Sequence, residues 1–253
     1  MENVIYEVSE GVAVITLNRP QAKNAIDAAT AQAIEAAMDR LEADPSVRVG
    51  ILTGAGGTFC SGMDLKAFLR GEVVVTPRRG FAGIASCPPP VPLIAAIEGY
   101  SVAGGFEIAL SCDLIVASRA AQFGLPEVRR GLVATAGGML RIPGLLPPNV
   151  AHELVLTGRM ASAQEMAGYG LVNRLVDEGE ALQGAKALAA EIAANGPVAV
   201  RTSKAVMRQS LHWSQDEMFE RQDEAARPVF TSEDAKEGAR AFAEKRAPRW
   251  SGR

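Results

Sequence analysis

Glu98-Gly99-Tyr100-Ser101-Val102-Ala103-Gly104-Gly105-Phe106-Glu107 decides the fold. The apolar run 93–97 before it reads as a buried strand, and Gly104-Gly105 opens a helix predicted over 104–111. Residues 114–117 read as the next strand. A strand that hands over to a helix through small residues, and does so repeatedly, is the signature of layered α/β architecture. Toward the amino terminus, 4–8 and 12–17 form two β-rich runs around Ser9-Glu10-Gly11, a predicted hairpin. Asp27 caps an alanine-rich amphipathic helix reaching about residue 43, stopped by Asp44-Pro45, and 49–53 is another buried strand. Toward the carboxyl terminus the pattern turns helical, with helices predicted over 180–194, 198–210 and 215–226. The chain divides into a core, 1–195, and a helical region, 196–253. The latter is too short and too poor in strands for a separate catalytic domain, so it should pack on the core or on a neighbouring subunit.

At 253 residues, 48% of them apolar, the chain has ample material for a core. A net charge of −3 argues against a broad basic surface, so no nucleic-acid partner is expected. Cys60, Cys87 and Cys112 are odd in number and form no CxxC, which favours neither a disulfide framework nor zinc and fits a reducing cytoplasm. The first residues carry early acids without a basic, then apolar, leader, and no segment is long and apolar enough for a membrane span.

Four features could carry chemistry. Gly54-Ala55-Gly56-Gly57 leads into Phe59-Cys60-Ser61-Gly62-Met63-Asp64-Leu65-Lys66, a turn able to present backbone N–H groups, although glycines after a strand also mark simple connections. The helix start at Gly104-Gly105 offers further unpaired N–H groups, or merely close packing. Two such amides from different loops make an oxyanion hole. Glu107 falls in the first turn of the helix, where the macrodipole alone would favour an acid, and Glu127 follows Pro126 and could face solvent. Both nevertheless sit among apolar and glycine-rich turns, and two carboxyls in one pocket can be driven to different protonation states. Neither His152 nor His212 belongs to a metal or nucleophile motif, and no phosphate-binding glycine motif is present, so no metal or redox cofactor is expected. Cys60 and Ser61 read as turn or core residues, and Arg129-Arg130 as a solvated face or a phosphate contact.

These residues together resemble the crotonase superfamily, the enoyl-CoA hydratase/isomerase family. Its segments occur in order: Asn18-Arg19-Pro20 with Lys23-Asn24-Ala25; the 59–66 turn; Gly104-Gly105-Phe106-Glu107 with Cys112-Asp113; and Phe123-Gly124-Leu125-Pro126-Glu127 with Gly137-Gly138. The resemblance implies a spiral of repeated ββα units, a carboxyl-terminal helical trimerisation region, and a trimer or a hexamer built as a dimer of trimers. It implies that the Met63 and Gly104 N–H groups hold the thioester oxygen of an acyl-CoA, coenzyme A being part of the substrate. It further implies that Lys23, Ala25, Asp64, Leu65 and Lys66 lie along the CoA path, and that Phe242 and Lys245 reach a neighbour's CoA.

Glutamates at both catalytic positions are similar to the hydratases of the family, which implies water addition across C2=C3 with Glu107 activating water and Glu127 delivering a proton. The stretch 104–110 and the ending 242–253 resemble carnitinyl-CoA dehydratases. A double-bond isomerase is an alternative enzyme, and a non-catalytic acyl-CoA binder or RNA-binding relative an alternative from another class. Ala134 and Thr135 depart from the Pro-Gly of many hydratases, which bears on substrate preference, and 68–81 is the expected variable wall of the acyl cavity.

Overall fold

The computed structural model describes residues 2–253. Strands β1 (Val4–Ser9) and β2 (Val12–Leu17) pair antiparallel through a two-residue turn. Glu10 and Gly11 both have positive φ, 51° and 77°, the twist that joins such strands without splaying them. Helix α1 (Ala28–Ala43) starts where Asp27 accepts hydrogen bonds from the Thr30 N–H (2.8 Å) and hydroxyl (2.6 Å). Strand β3 (Val49–Gly54) follows, then the short helix α2 (Leu65–Leu69) and a small ribbon, β4 (Val75–Thr76) with β5 (Gly80–Phe81). The ribbon is tied to α1 by the fully buried Arg79, which donates to Asp39 at 2.7 and 2.9 Å and to the Cys87 carbonyl at 2.6 Å.

Strands β6 (Leu93–Ile97) and β7 (Tyr100–Val102) lead into helix α3 (Gly104–Ala109). Strands β8 (Leu114–Ser118) and β9 (Gln122–Gly124) lead through a 3-10 turn, Pro126–Arg130, to α4 (Gly138–Arg141) and α5 (Pro148–Thr157). Strand β10 (Ala161–Ser162), helix α6 (Ala163–Gly168), strand β11 (Arg174–Val176) and helix α7 (Ala181–Ala193) complete the core. In the units β6-β7 and β8-β9, two successive strands therefore enter two different sheets before the helical return. The larger sheet has the order β1-β2-β3-β6-β8-β11, parallel from β2 onward, and the smaller has the order β10-β9-β7. This is the spiral of ββα units.

Strands β3 and β6 are buried along almost their whole length because both faces of the large sheet are covered. Leu52, Leu93, Ala95 and Ile97 face the interior shared with α1 and α3, whereas Val49, Ile51, Ile94 and Val116 meet Ala181, Ala185 and Ala189 of α7. Alanines four residues apart make one flat helix stripe, which lets α7 lie close to the strands. Helix α3 ends two residues earlier than expected. The Ser111 hydroxyl donates to the Glu107 carbonyl (2.8 Å), capping the helix, and the Asp113 N–H must reach Leu93 (2.8 Å) to begin β8.

Helices α8 (Pro197–Gln209), α9 (Met218–Phe230) and α10 (Glu233–Ala243) follow. Helix α9 starts and ends later than the pattern predicted, and α10 was not predicted. Helix α8 is anchored by Lys204, whose Nζ donates to the carbonyls of Pro89 and Val91 (both 2.8 Å) and to Asp113 (2.6 Å). The chain end folds back on α10, where buried Asp234 accepts from the N–H groups of Ser251 (2.7 Å) and Gly252.

Candidate active site

Two turns meet at the start of α3. The 59–64 turn is pinned by Asn24, a buried residue in the left-handed region (φ 54°) whose side chain bonds to Arg19 N and to the carbonyls of Ala55 (2.9 Å) and Thr58 (2.6 Å). Cys60 pairs with Ser101 and Met63 with Ile26 as isolated bridges, extending the small sheet through this turn. A Cβ on Gly62 would lie 3.0 Å from Gly104 N, so only glycine lets the turns approach this closely. A Cβ on Gly105 would overlap the Cys60 carbonyl, and one on Gly104 would lie 2.5 Å from the Phe81 ring.

Ala103, just before the helix, has φ 53° and ψ −130°, a conformation that side-chain-bearing residues rarely adopt, and its N–H donates to the Gly124 carbonyl at 2.8 Å. This strain rotates the α3 start outward toward a cavity. Among the described residues, the Met63 and Gly104 N–H groups donate no backbone hydrogen bond. Both residues line a cavity of about 940 Å³. Two unpaired amides from neighbouring turns, facing one space, can bind an anionic oxygen.

Glu107 and Glu127 line the same cavity. Only 3% of Glu107 is exposed, and its Oε1 accepts from the Gly138 N–H at 2.8 Å. A Cβ on Gly138 would stand 2.9 Å from that oxygen, so the glycine is what allows the carboxyl so near the backbone. Burial pushes the Glu107 carboxyl up to about 7, with the nearby Glu127 charge adding to the effect and the Gly138 and Ala136 amides and Arg141 opposing it. Glu127, in the Pro126–Arg130 turn, is also raised by burial, opposed by its own backbone N–H and by Arg130. Its Oε2 is buried with no hydrogen-bond partner.

Of the other residues expected in the site, Lys23 and Leu65 line the cavity, with the Lys23 ammonium 5.4 Å from the Tyr100 ring centre. Ala25, Asp64 and Lys66 do not. Ala25 is buried, and its carbonyl accepts from Arg19. Asp64 caps α2, accepting from the N–H groups of Lys66 (3.0 Å) and Ala67 (3.2 Å), and pairs with Arg19 at 3.0 Å. Burial works to raise its carboxyl, but Ala67, Arg19 and Lys66 together hold it below the usual range. Phe242 is 88% exposed at the end of α10, Lys245 follows it, and neither lines this chain's own cavity.

Cys60 is a core group: its thiol donates to the Asn24 carbonyl (3.1 Å), and burial pushes it up to about 12. Arg129 and Arg130, read as a solvated face or a phosphate contact, border the cavity, as do Thr135 and Ala136, while Ala134 is buried. Among the described residues no cluster of three His, Cys, Asp or Glu side chains is arranged to hold a metal. The Gly138 amide was missed from sequence, although the Gly137-Gly138 pair is a visible signal for it, whereas Phe81 ends the 68–81 stretch expected to wall the cavity and does line it.

The family described as enoyl-CoA hydratase/isomerase matches residues 7–253. Carnitinyl-CoA dehydratases of Proteus mirabilis (strain HI4320) and Salmonella typhi are both 43% identical over 247 residues, covering 94% of each chain. Among solved structures, an enoyl-CoA hydratase from Mycobacterium marinum is 54% identical with a TM-score of 0.99. A carnitinyl-CoA hydratase from Mycobacterium avium is 42% identical with a TM-score of 0.80, and both comparisons cover 100% of each chain.

Proposed function

We propose, from the premise that the chain belongs to the enoyl-CoA hydratase/isomerase family, that it adds water across the C2=C3 bond of a 2-enoyl-CoA thioester and catalyses the reverse dehydration. The observation that carries this reading is one cavity holding two raised carboxyls beside two unpaired amides. As water attacks C3, electron density moves to the thioester oxygen, and the Met63 and Gly104 N–H groups hold that oxygen. Burial raises both carboxyls and the Glu127 charge raises Glu107 further, so a proton held by one bears on the other.

In the free enzyme that proton rests on Glu107, the more buried carboxyl. Bound thioester strips the remaining water from Glu127, whose Oε2 has no donor, while Glu107 keeps the Gly138 N–H. The proton then belongs to Glu127. Glu107 takes a proton from water as its oxygen bonds to C3, and Glu127 gives its proton to C2. Dehydration exchanges the roles. No metal or redox cofactor enters this chemistry.

Lys23 and Leu65 lie on the CoA side of the cavity in this reading. Exposed Phe219, Phe230 and Phe242 on α9 and α10 support assembly into a trimer or a hexamer in which Phe242 and Lys245 approach a neighbour's CoA. No described helix is long and apolar enough to cross a membrane.

Similarity to carnitinyl-CoA dehydratases favours a second reading, a substrate with a trimethylammonium group. The cavity argues for an uncharged acyl group instead. Phe68, Val74, Val75, Leu132 and Val133 form its wall. Apart from Glu107 and Glu127, its charged residues are Lys23, Arg129 and Arg130, all cations. Crotonyl-CoA and crotonobetainyl-CoA hydration, followed by loss of the enoyl-thioester absorbance, tests both readings. The expected result is turnover of crotonyl-CoA at the higher kcat/KM, with ¹⁸O from solvent appearing at C3. Double-bond migration without ¹⁸O uptake would identify an isomerase and overturn the proposal.

A further inference from the structure

We infer that Arg141 is a positioning residue for this reaction, holding the 136–138 turn against Glu107 and presenting a cation to that carboxyl. The inference rests on Glu107 acting as proposed above. The Arg141 guanidinium bridges two segments, with Nη2 donating to the Ala85 carbonyl at 2.5 Å and Nη1 reaching the Ala136 carbonyl at 3.5 Å. Its backbone N–H donates to Gly137 at 3.0 Å, and a Cβ at Gly137 (φ 96°) would overlap Nη1. The next residue is Gly138, whose N–H meets Glu107 Oε1. Guanidinium, glycine turn and carboxyl are therefore packed in sequence, and a side chain at either glycine would displace the guanidinium or the carboxyl.

Arg141 is partly buried, and its side-chain hydrogen bonds go to carbonyls rather than to a carboxylate. Burial and the facing Arg208 of α8 oppose its charge, while Glu107 and Cys112 favour it. The charged groups facing Glu107 are Glu127, from the 3-10 turn, and Arg141, from α4. A cation kept in so unfavourable a place next to an acid that must change protonation state supplies both orientation and field.

The alternative is a plain strut between α4 and the 82–86 segment, and kinetics separate the two. In Arg141→Gln, kcat for crotonyl-CoA should fall roughly 10- to 100-fold, the range for losing support from a charged hydrogen-bond network, with KM little changed. The alkaline limb of kcat/KM, where the carboxyl pair of the free enzyme loses its last proton, should move to higher pH because a stabilising cation is gone. Arg141→Lys keeps the charge without the two-armed bridge. It should leave the limb in place and recover part of kcat.

A wild-type kcat in Arg141→Gln, or a lowered melting temperature with an unmoved limb, would overturn the inference. If Arg141→Gln does not fold, Arg141→Lys decides, since reduced kcat at an unchanged melting temperature supports it, and unchanged kcat, or a loss of kcat that tracks a lowered melting temperature, overturns it. Failure of the wild type to hydrate any enoyl-CoA would instead defeat the reading of Glu107 on which the inference rests.

Discussion

Glu107 and Glu127 stand on opposite kinds of support. The first is rooted in a regular helix, almost wholly buried, with one oxygen held by a backbone amide across 31 positions of sequence. The second rides a 3-10 turn at the cavity edge, half-buried, with one oxygen sealed from water and bonded to nothing. The same side chain thus has two environments: one donor-satisfied and fixed, the other unsatisfied and sensitive to what fills the cavity. Identical residues acquire different proton affinities from the groups that surround them, and a bound ligand can reverse which one is protonated.

The comparison breaks most visibly if either carboxyl is neutralised for good. Glu107→Gln and Glu127→Gln should each lower kcat ~10²–10⁴-fold, the usual contribution of a positioned acid or base, measured as loss of enoyl-thioester absorbance. Wild-type turnover by either variant would contradict the pairing. Gly104→Ala leaves both glutamates in place but drives a methyl group into the Phe81 ring, displacing the amide beside them. A loss of ~10²–10³-fold is expected, as for removal of one oxyanion donor.

Gly138→Ala touches only the Glu107 side, pushing at Oε1 from 2.9 Å. It should cost roughly 10-fold in kcat, and a matching loss from a change near Glu127 alone would blur the distinction. The smallest effect is on stability. Glu107 binds its proton more tightly folded than unfolded, so its contribution to stability is present at low pH and is lost as pH rises through about 7. Glu107→Gln should therefore be more stable than wild type at pH 8, by ~1–3 kcal/mol, and gain little at pH 5, as calorimetry at the two pH values will show.

Much of the core was legible in the sequence because its signals are local. The Ser9-Glu10-Gly11 turn, the Asp27 cap and the apolar strands each report on neighbours a few residues away. Helix α10 was missed because its buried face includes Asp234, a polar residue satisfied only by the chain end folding back from Ser251 and Gly252. Within the site, Met63, Gly104, Glu107 and Glu127 stand in recognisable segments, and all four line one cavity. The Gly138 amide acts on a carboxyl 31 residues away, and Arg141 acts through that turn, relations that no local pattern expresses. Asp64 was read as lying along the CoA path for its place in a motif. In the fold its carboxylate is occupied by the α2 cap and by Arg19.

The division of labour between the carboxyls is most directly measured by ¹³C NMR titration of the glutamate side chains, assigned with the two Gln variants. In the free enzyme Glu107 should titrate with a midpoint of about 7, and Glu127→Gln should lower it because the neighbouring charge is gone. With butyryl-CoA, a saturated thioester that cannot react, the proton should appear on Glu127. A Glu107 carboxyl that titrates in the ordinary range, or that keeps its proton when butyryl-CoA is bound, would contradict the account.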